Sequence, residues 1–310
     1  MRTATRLGSL TIVRCVAVSF AAAASVANAQ NLEPRAYANA PVGLNFLIAG
    51  YGYTSGGVGI DPALPVEDAK VEIHSALFAY ARSLDWFGKS AKFNVVVPYA
   101  WASGSATALG KFRDREVSGF ADPGFNFSVN LYGAPALSLE DFAKYQQDTI
   151  VGLSLGVTAP GGQYDADKLL NLGTNRWSIK PEIGISKAFG PIILELDGGV
   201  RFYTDNDNFL SGHIREQDPI YSVQGHLIYS WGHAIWGAID GTYYTGGRTT
   251  INRVKGNDLQ QNSRLGVTLA LPVDRYNSVK LYYSTGVSAR TGSNFDAAGI
   301  VWQTRFGGGL

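Results

Sequence analysis

The sequence predicts an all-β protein: a single transmembrane antiparallel β-barrel of about twelve strands, within a range of roughly 10–14. Three observations carry that prediction. Apolar and small polar residues alternate with period two in repeated segments of about ten residues. In Thr149–Ala159, for example, Val151, Leu153, Leu155, Val157 and Ala159 share one face, and Gly152, Ser154, Gly156 and Thr158 share the other. The polar face is built of Gly, Ser, Asn and Thr, whereas a soluble sandwich would carry charged residues there. The connections between segments alternate between short and long, as in bacterial barrels with short periplasmic turns and long extracellular loops.

In chain order, strands are expected at 42–54, 70–84, 91–103, 122–132, 148–160, 176–188, 191–204, 219–231, 234–246, 262–272, 277–290 and 296–306. Strand four places Phe125, Phe127, Val129 and Leu131 toward lipid and Gly124, Asn126, Ser128 and Asn130 inward. Strand ten does the same with Leu265, Val267, Leu269 and Leu271 against Arg264, Gly266, Thr268 and Ala270. Tight turns are expected at Asp85–Lys89, Ala188–Pro191, Trp231–Ala234 and Pro272–Asn277, and both termini on that periplasmic side. Long loops rich in Gly, Asp and Asn fill 55–69, 104–121, 161–175, 205–218 and 247–261. The segment 133–147 is too long for a turn, and Leu137–Tyr145 has helical spacing with Ser138 as N-cap, so a short periplasmic helix is expected there. Gln30–Pro41 leads into strand one and is a candidate partial plug.

The N-terminus reads as an export signal. Arg2, Arg6 and Arg14 flank an apolar stretch, Val16–Val26, that ends in the small-x-small triplet Ala27-Asn28-Ala29. Residues 1–29 are therefore assigned to a signal peptide and 30–310 to one barrel domain, in the outer membrane of a Gram-negative bacterium. Cys15 lacks the small preceding residue of a lipobox and belongs to the signal, so the mature chain has no cysteine. Removing three of the 26 basic residues and none of the 25 acidic ones leaves 23 − 25 = −2, a balance that implies no nucleic-acid partner. No mature run reaches the ~18 apolar residues of a spanning helix, so a membrane span must be made of strands. The 37 Gly, 16 Tyr, 15 Phe and 6 Trp fit an outer-membrane barrel better than a soluble α/β enzyme.

Aromatic residues gather near strand ends (Trp86, Trp101, Trp177, Trp231, Tyr243, Tyr244, Tyr276 and Trp302 among them), as in interfacial girdles. Charge gathers in the middle strands. Counting from apolar partners, Lys180, Glu182, Glu195, Asp197, Arg201, Gln224, His226 and Asp240 point inward. They are candidates either for a charged constriction that screens solutes or for a salt-bridged network that fills the bore, and the network is the preferred reading. Pro98, Pro123, Pro181 and Pro219 each delete a ladder donor and imply bulges, strand ends or a lateral gap.

No catalytic set is legible. His74 and Ser75 are neighbours on a strand and face opposite sides, so they make no base and nucleophile pair. His213 lies near Asp205, Asp207 and Asp218 without metal-motif spacing, and Asp165 and Asp167 read as solvated loop residues. Neither a cofactor nor a metal is expected.

Five segments bring in a resemblance: Leu32–Phe46 (LEPRAYANAPVGLNF), Tyr132–Leu137 (YGAPAL), Gly162–Asp165 (GQYD), Asn171–Trp177 (NLGTNRW) and Lys180-Pro181-Glu182. They resemble the outer-membrane family named for the meta-pathway of phenol degradation, over nearly the whole mature chain. The resemblance implies an exported barrel of the transporter type, in some cases encoded near pathways for aromatic compounds, and attaches no catalytic residue. The chain ends Phe306-Gly307-Gly308-Gly309-Leu310, so Phe306 is the candidate aromatic signal for the barrel assembly machinery.

The combined reading is a channel that passes small solutes, aromatic or hydrophobic ones foremost, by passive diffusion, with outer-membrane lipid as its surround. The alternatives are a filled barrel acting through its loops and, further off, a lipid-acting barrel enzyme. The cleavage reading predicts that the protein purified from outer membranes begins at Gln30, checked by intact mass and N-terminal sequencing.

Overall fold

The computed structural model describes residues 33–57, 66–108, 111–210, 212–292 and 294–310; the signal segment and its cleavage site lie outside them. In chain order the elements are β1 (Leu44–Gly56), β2 (Val66–Trp86), β3 (Lys89–Ala108), β4 (Lys111–Phe120), β5 (Gly124–Tyr132), α1 (Leu139–Phe142), β6 (Thr149–Thr158), β7 (Ser178–Phe189), β8 (Ile192–Tyr203), β9 (Asn206–Phe209), β10 (His213–Gln217), β11 (Ile220–Gly232), β12 (Ile235–Gly246), β13 (Thr249–Ile251), β14 (Val254–Lys255), β15 (Gln260–Pro272), β16 (Asn277–Ala289) and β17 (Phe295–Gly307). Twelve of them, β1, β2, β3, β5, β6, β7, β8, β11, β12, β15, β16 and β17, close into one antiparallel barrel. The seam is the β1–β17 ladder, continuous from Leu44↔Gly307 to Gly56↔Phe295. Each expected strand is present, with ends moved by a few residues.

The differences lie in the loops. β4 extends the wall by pairing with the outer half of β3, and β9, β10, β13 and β14 form a separate four-stranded sheet above the barrel. Period-two patterning gives no sign of β4 at its outer end because both faces are open there: Lys111, Phe112, Arg113 and Asp114 are all exposed. The helix in 133–147 is a single turn, capped by Ser138 Oγ accepting from the amide of Asp141 at 3.1 Å. This segment lies across the turn end: Ser90 N donates to Ala134 O at 3.1 Å and Val42 N to Leu137 O at 2.9 Å.

Short turns gather at the end that carries both described termini. Phe87 and Gly88 (φ 52° and 79°) and His233 and Ala234 (φ 51° and 63°) are two-residue connections with the positive φ pair of a type I′ hairpin. In the longer turn before β16, Asp274 accepts from the Asn277 side chain and from the amides of Tyr276 and Asn277. The Asn277 side chain first, then the amides, hold this carboxyl below its ordinary range.

The alternation falls as the sequence predicts. Ile183, Leu196 and Ile239 are 56, 55 and 59 % exposed, while their strand neighbours Gly184, Asp197 and Asp240 are buried. Apolar residues turned outward without cover suit a lipid surround. No helix among the described residues is long and apolar enough to cross a membrane. The aromatic set needs two corrections, the first being that Tyr203, also expected among the interfacial rings, packs against the buried Ile220 and Tyr244. Tyr243 is exposed but Tyr244 is fully buried, because successive strand residues point to opposite faces and only one of the pair can reach the belt.

Two prolines sit within strands and two precede them. At Pro98, β3 changes partner, from β5 (Val96↔Gly124) to β4 (Tyr99↔Phe120). At Pro181 the β7–β8 ladder passes from Ile179↔Phe202 to Glu182↔Gly199 without the intervening steps. Pro123 and Pro219 lie just before β5 and β11, where a missing amide ends pairing at little cost. The outward face at mid-wall predicts that Leu153→Arg destabilises the folded barrel by about 2–4 kcal/mol, read from denaturant unfolding in phospholipid vesicles.

Candidate functional site

The lumen is built where inward positions of neighbouring strands share a level. Register places His226 of β11 opposite Glu195 of β8 on one side and Asp240 of β12 on the other. His226 Nδ1 lies 2.7 Å from Asp240 Oδ1, and its Nε2 3.5 Å from Asp197 Oδ2. Asp240 also accepts from Thr268 Oγ1 at 3.1 Å. Glu195 accepts from Ser186 Oγ at 2.9 Å and from the Arg35 amide at 2.6 Å. One imidazole between two carboxylates and a third carboxylate held by a hydroxyl and a main-chain amide form a dense polar layer near the turn end. Gln224, two residues before His226, is buried on the same face.

The remaining predicted residues stand apart. Lys180 pairs with Glu182 at 2.6 Å, two positions along its own strand, and not across the ladder. Arg201 is buried toward the loop end and donates from Nη1 to Ser178 Oγ at 2.9 Å. The inward set is thus three groups: the Glu195, Asp197, His226 and Asp240 layer, the Lys180–Glu182 pair, and Arg201.

Residues 33–42 enter the lumen from the turn end. Tyr37, Ala38, Asn39 and Ala40 are all buried there. Lys92 Nζ donates to Ala36 O at 2.7 Å, Asn130 Nδ2 to Tyr37 O at 3.0 Å, and Asn39 Nδ2 to Pro135 O at 3.1 Å. The Arg35 guanidinium lies 5.3 Å from the centroid of the Trp236 ring. Tyr37 fits a slot made by two glycines paired across the β6–β7 ladder, Gly152↔Gly184. A Cβ on Gly152 would fall 2.2 Å from Tyr37 Cδ1, and one on Gly184 2.1 Å from Tyr37 Cε2. Ser83 clasps the exit into β1, donating to Pro41 O at 2.5 Å and accepting from Leu44 N at 3.0 Å.

Sequence reasoning did not single out Arg35, Tyr37 or Lys92 as site residues. The available signal was the apolar run Ala36-Tyr37-Ala38 just ahead of a strand, together with two glycines at inward positions that leave room for a ring. It also passed over Asp122, which orders the loop end: Asp122 Oδ1 accepts from Gly162 N at 2.9 Å, and Oδ2 from Thr174 N and Oγ1 at 2.8 and 2.6 Å. Loop 159–176 is thereby pinned over the partner change at Pro98, where Ala121 N donates to Pro98 O at 2.9 Å.

The loop end carries arginines among aromatic rings. Arg176 lies 4.2 Å from the Tyr203 ring centroid and hydrogen-bonds Gln217 Oε1. Arg215 Nη2 donates to the same oxygen at 3.3 Å, and Arg264 lies 3.6 Å from the Phe295 centroid. The other histidines are dispersed. His74 Nδ1 meets Tyr51 OH at 2.5 Å on the outward face, Ser75 points the other way, and His213 Nδ1 contacts Leu210 O at 2.8 Å. Among the described residues no group of three or more His, Cys, Asp or Glu has the geometry of a metal site.

Residues 51–304 match the family described as "Putative MetA-pathway of phenol degradation". The structure superposes on that of an outer membrane channel from Pseudomonas putida F1 with a TM-score of 0.77 at 21 % identity, over 89 % of this chain and 100 % of that one. A NanC porin aligns with a TM-score of 0.46 at 12 % identity, over 83 % of this chain and 98 % of the porin. The CymD monoaromatic hydrocarbon channel aligns with a TM-score of 0.43 at 8 % identity, over 86 % and 89 %. No curated protein matches the chain. At such identity the likeness to the Pseudomonas channel shows a shared fold.

The glycine slot gives a direct test. Overpacking costs about 1–3 kcal/mol, so Gly184→Val should raise the population with Tyr37 displaced by roughly tenfold. Ala38→Cys, shielded in the parent barrel, is then expected to react with a thiol reagent correspondingly faster in the Gly184→Val background.

Proposed function

The chain belongs to the phenol-degradation family of outer-membrane barrels, and we propose that it is a channel passing small aromatic or otherwise hydrophobic solutes by passive diffusion across the outer membrane of a Gram-negative bacterium. In this reading residues 1–29 direct export and are removed, 30–310 form one barrel domain, and Phe306, exposed near the end of β17, is what the barrel assembly machinery reads. The short turns face the periplasm and the long loops the exterior.

The observation that carries the proposal is an apolar stripe on the inside of the wall. A purely hydrophilic pore has no use for buried hydrocarbon there, yet Leu44, Phe46, Ile48, Leu77 and Val301 cluster on the inward side of β1, β2 and β17. A second cluster toward the loop end includes Val71, Ile73, Leu170, Leu172 and Phe295. Opposite them stands the charged layer, while Ala40 of the 33–42 segment packs into the first cluster. A solute moving through would meet hydrocarbon on one side and fixed polar groups on the other, the combination that orients a small amphipathic molecule. Because residues 33–42 fill the turn end, passage to the periplasm requires them to shift. The hydrogen bonds from Lys92, Asn130 and Asn39 set how readily they do so.

The charges have two roles in this proposal: they fill the bore and they set its selectivity. Glu195→Ala and Arg201→Ala are each expected to change single-channel conductance or ion selectivity; if neither moves, these side chains serve packing alone. The central test is flux into liposomes holding the refolded mature protein. Neutral aromatics and phenol-like acids should enter faster than sugars of similar size, and removal of residues 33–42 should speed all of them. Equal entry would make the protein a general pore. No flux from either form would favour the barrel that acts through its loops or on lipid.

A further inference from the structure

We propose that Asn94 and Asn126 form a subsite for an uncharged solute on the β3, β5 and β6 side of the lumen, and that its ligand class is the small aromatic alcohol. This rests on the channel reading above and names a substrate class within it, although binding is measurable whether or not the solute crosses.

Register sets the two side-chain amides side by side. Asn94 of β3 pairs with Asn126 of β5, Asn126 with Gly156 of β6, and Gly156 with Lys180 of β7. All four positions face the lumen, because Phe93, Phe125, Leu155 and Ile179 next to them in sequence are exposed on the outer wall. Both asparagines are half-buried, and neither side chain makes a hydrogen bond among the described residues. A primary amide carries both donors and an acceptor, so the pair can serve a hydroxyl group in either sense.

The wall leaves room in front of them. A Cβ built on Gly124 meets no atom of the described residues within 4 Å, and one on Gly156 meets nothing closer than Asn126 Nδ2 and Lys180 O, both at 3.8 Å. Two inward steps toward the turn end the situation reverses, since a Cβ on Gly152 would fall 2.2 Å from the Tyr37 ring. The leader thus occupies one level of this wall and stops short of the next. Val96, half-buried and directly opposite Gly124, packs against the apolar cluster of β1, β2 and β17. A ring whose hydroxyl meets the amides therefore lies over Val96 and the bare backbone of the two glycines, an apolar surface with few polar groups.

The neighbouring charges are already engaged, which favours a neutral ligand. Lys180 pairs with Glu182 at 2.6 Å, and the same carboxylate accepts from Ser154 Oγ at 3.5 Å and feels Arg201 from farther off. Lys92, the inward residue before Asn94 on β3, donates to Ala36 O at 2.7 Å. An anion brought here would lose water without gaining an ion pair, a cost that a phenolic hydroxyl does not incur.

The test is fluorine NMR titration of the full mature barrel, folded in detergent, with 4-fluorophenol, 4-fluorotoluene and 4-fluorobenzoate, and with empty micelles as the blank. The phenol is expected to bind, with the other two weaker by about fivefold or more, the worth of one net hydrogen bond. Asn94→Leu combined with Asn126→Leu should bring the phenol down to the level of the toluene. Gly156→Leu, for which the wall has space, should fold normally and weaken the phenol at least as much. Equal binding of phenol and toluene to the parent barrel, or phenol binding unchanged in either variant, would overturn the subsite; benzoate binding as tightly as phenol would overturn the preference for an uncharged ligand. If the double asparagine variant fails to fold, Gly156→Leu and the comparison of the three compounds on the parent protein decide. Liposome flux, read against protein-free liposomes, separates the two proposals. Protein-dependent entry of the phenol without saturable binding leaves the channel and removes the subsite, whereas saturable binding without such entry supports the subsite and removes the channel.

Discussion

Everything in this structure depends on backbone pairing in a medium that offers no hydrogen bonds. Hydrocarbon cannot satisfy an exposed amide, so a strand-built wall in lipid must have no free edge, and the β1–β17 ladder provides the closure. Once the wall is closed, each strand has only two faces, and the period of two decides what each residue meets. Ile183 goes to lipid because Gly184 and Glu182 go to the lumen. The charges of β7, β8, β11 and β12 are inside for the same reason, since outward they would lie in hydrocarbon.

Closure also creates a difficulty that the interior resolves. A barrel of twelve strands encloses more space than its inward side chains fill when many are Gly, Ser and Thr, and charges within it need partners. The chain answers both with its own leader. Residues 33–42 bring a main-chain amide to Glu195, carbonyls to Lys92 and Asn130, and a ring to the Gly152–Gly184 slot. The polar layer around His226 and the segment from Glu33 to Val42 are joined where the Arg35 amide donates to Glu195.

The wall was legible in the sequence and the caps were not, for a physical reason. Each barrel strand separates lipid from lumen, so contrast between successive residues is strong: Leu153 beside Ser154, Ile239 beside Asp240. β4, β9, β10, β13 and β14 have no such contrast, and long loops read as loops even where they pair. Alternation also fixed which charges point inward, but not which of them meet. Lys180 was a candidate to pair across the ladder and instead pairs with Glu182 along it, a matter of side-chain reach that strand period does not encode. The leader was recognisable as a possible plug, but its anchor at Tyr37 depends on two glycines more than a hundred residues away that become neighbours only in the folded register.

The point at which the lumenal segment is tied on has a consequence for assembly. Val42 and Gly43 join it to β1, the strand that must meet β17 for the wall to close, and Ser83 grips that junction. The filler is thus hinged at the seam itself. Its hydrogen bonds to Lys92, Asn130 and Glu195 lie on β3, β5 and β8, so they can form against an incomplete sheet before the last ladder zips, and the cluster that Ala40 shares with Val301 of β17 is completed on closure. A filler hung from a mid-barrel strand would have no such order of events, and here the same joint that ends biogenesis seals the cargo in.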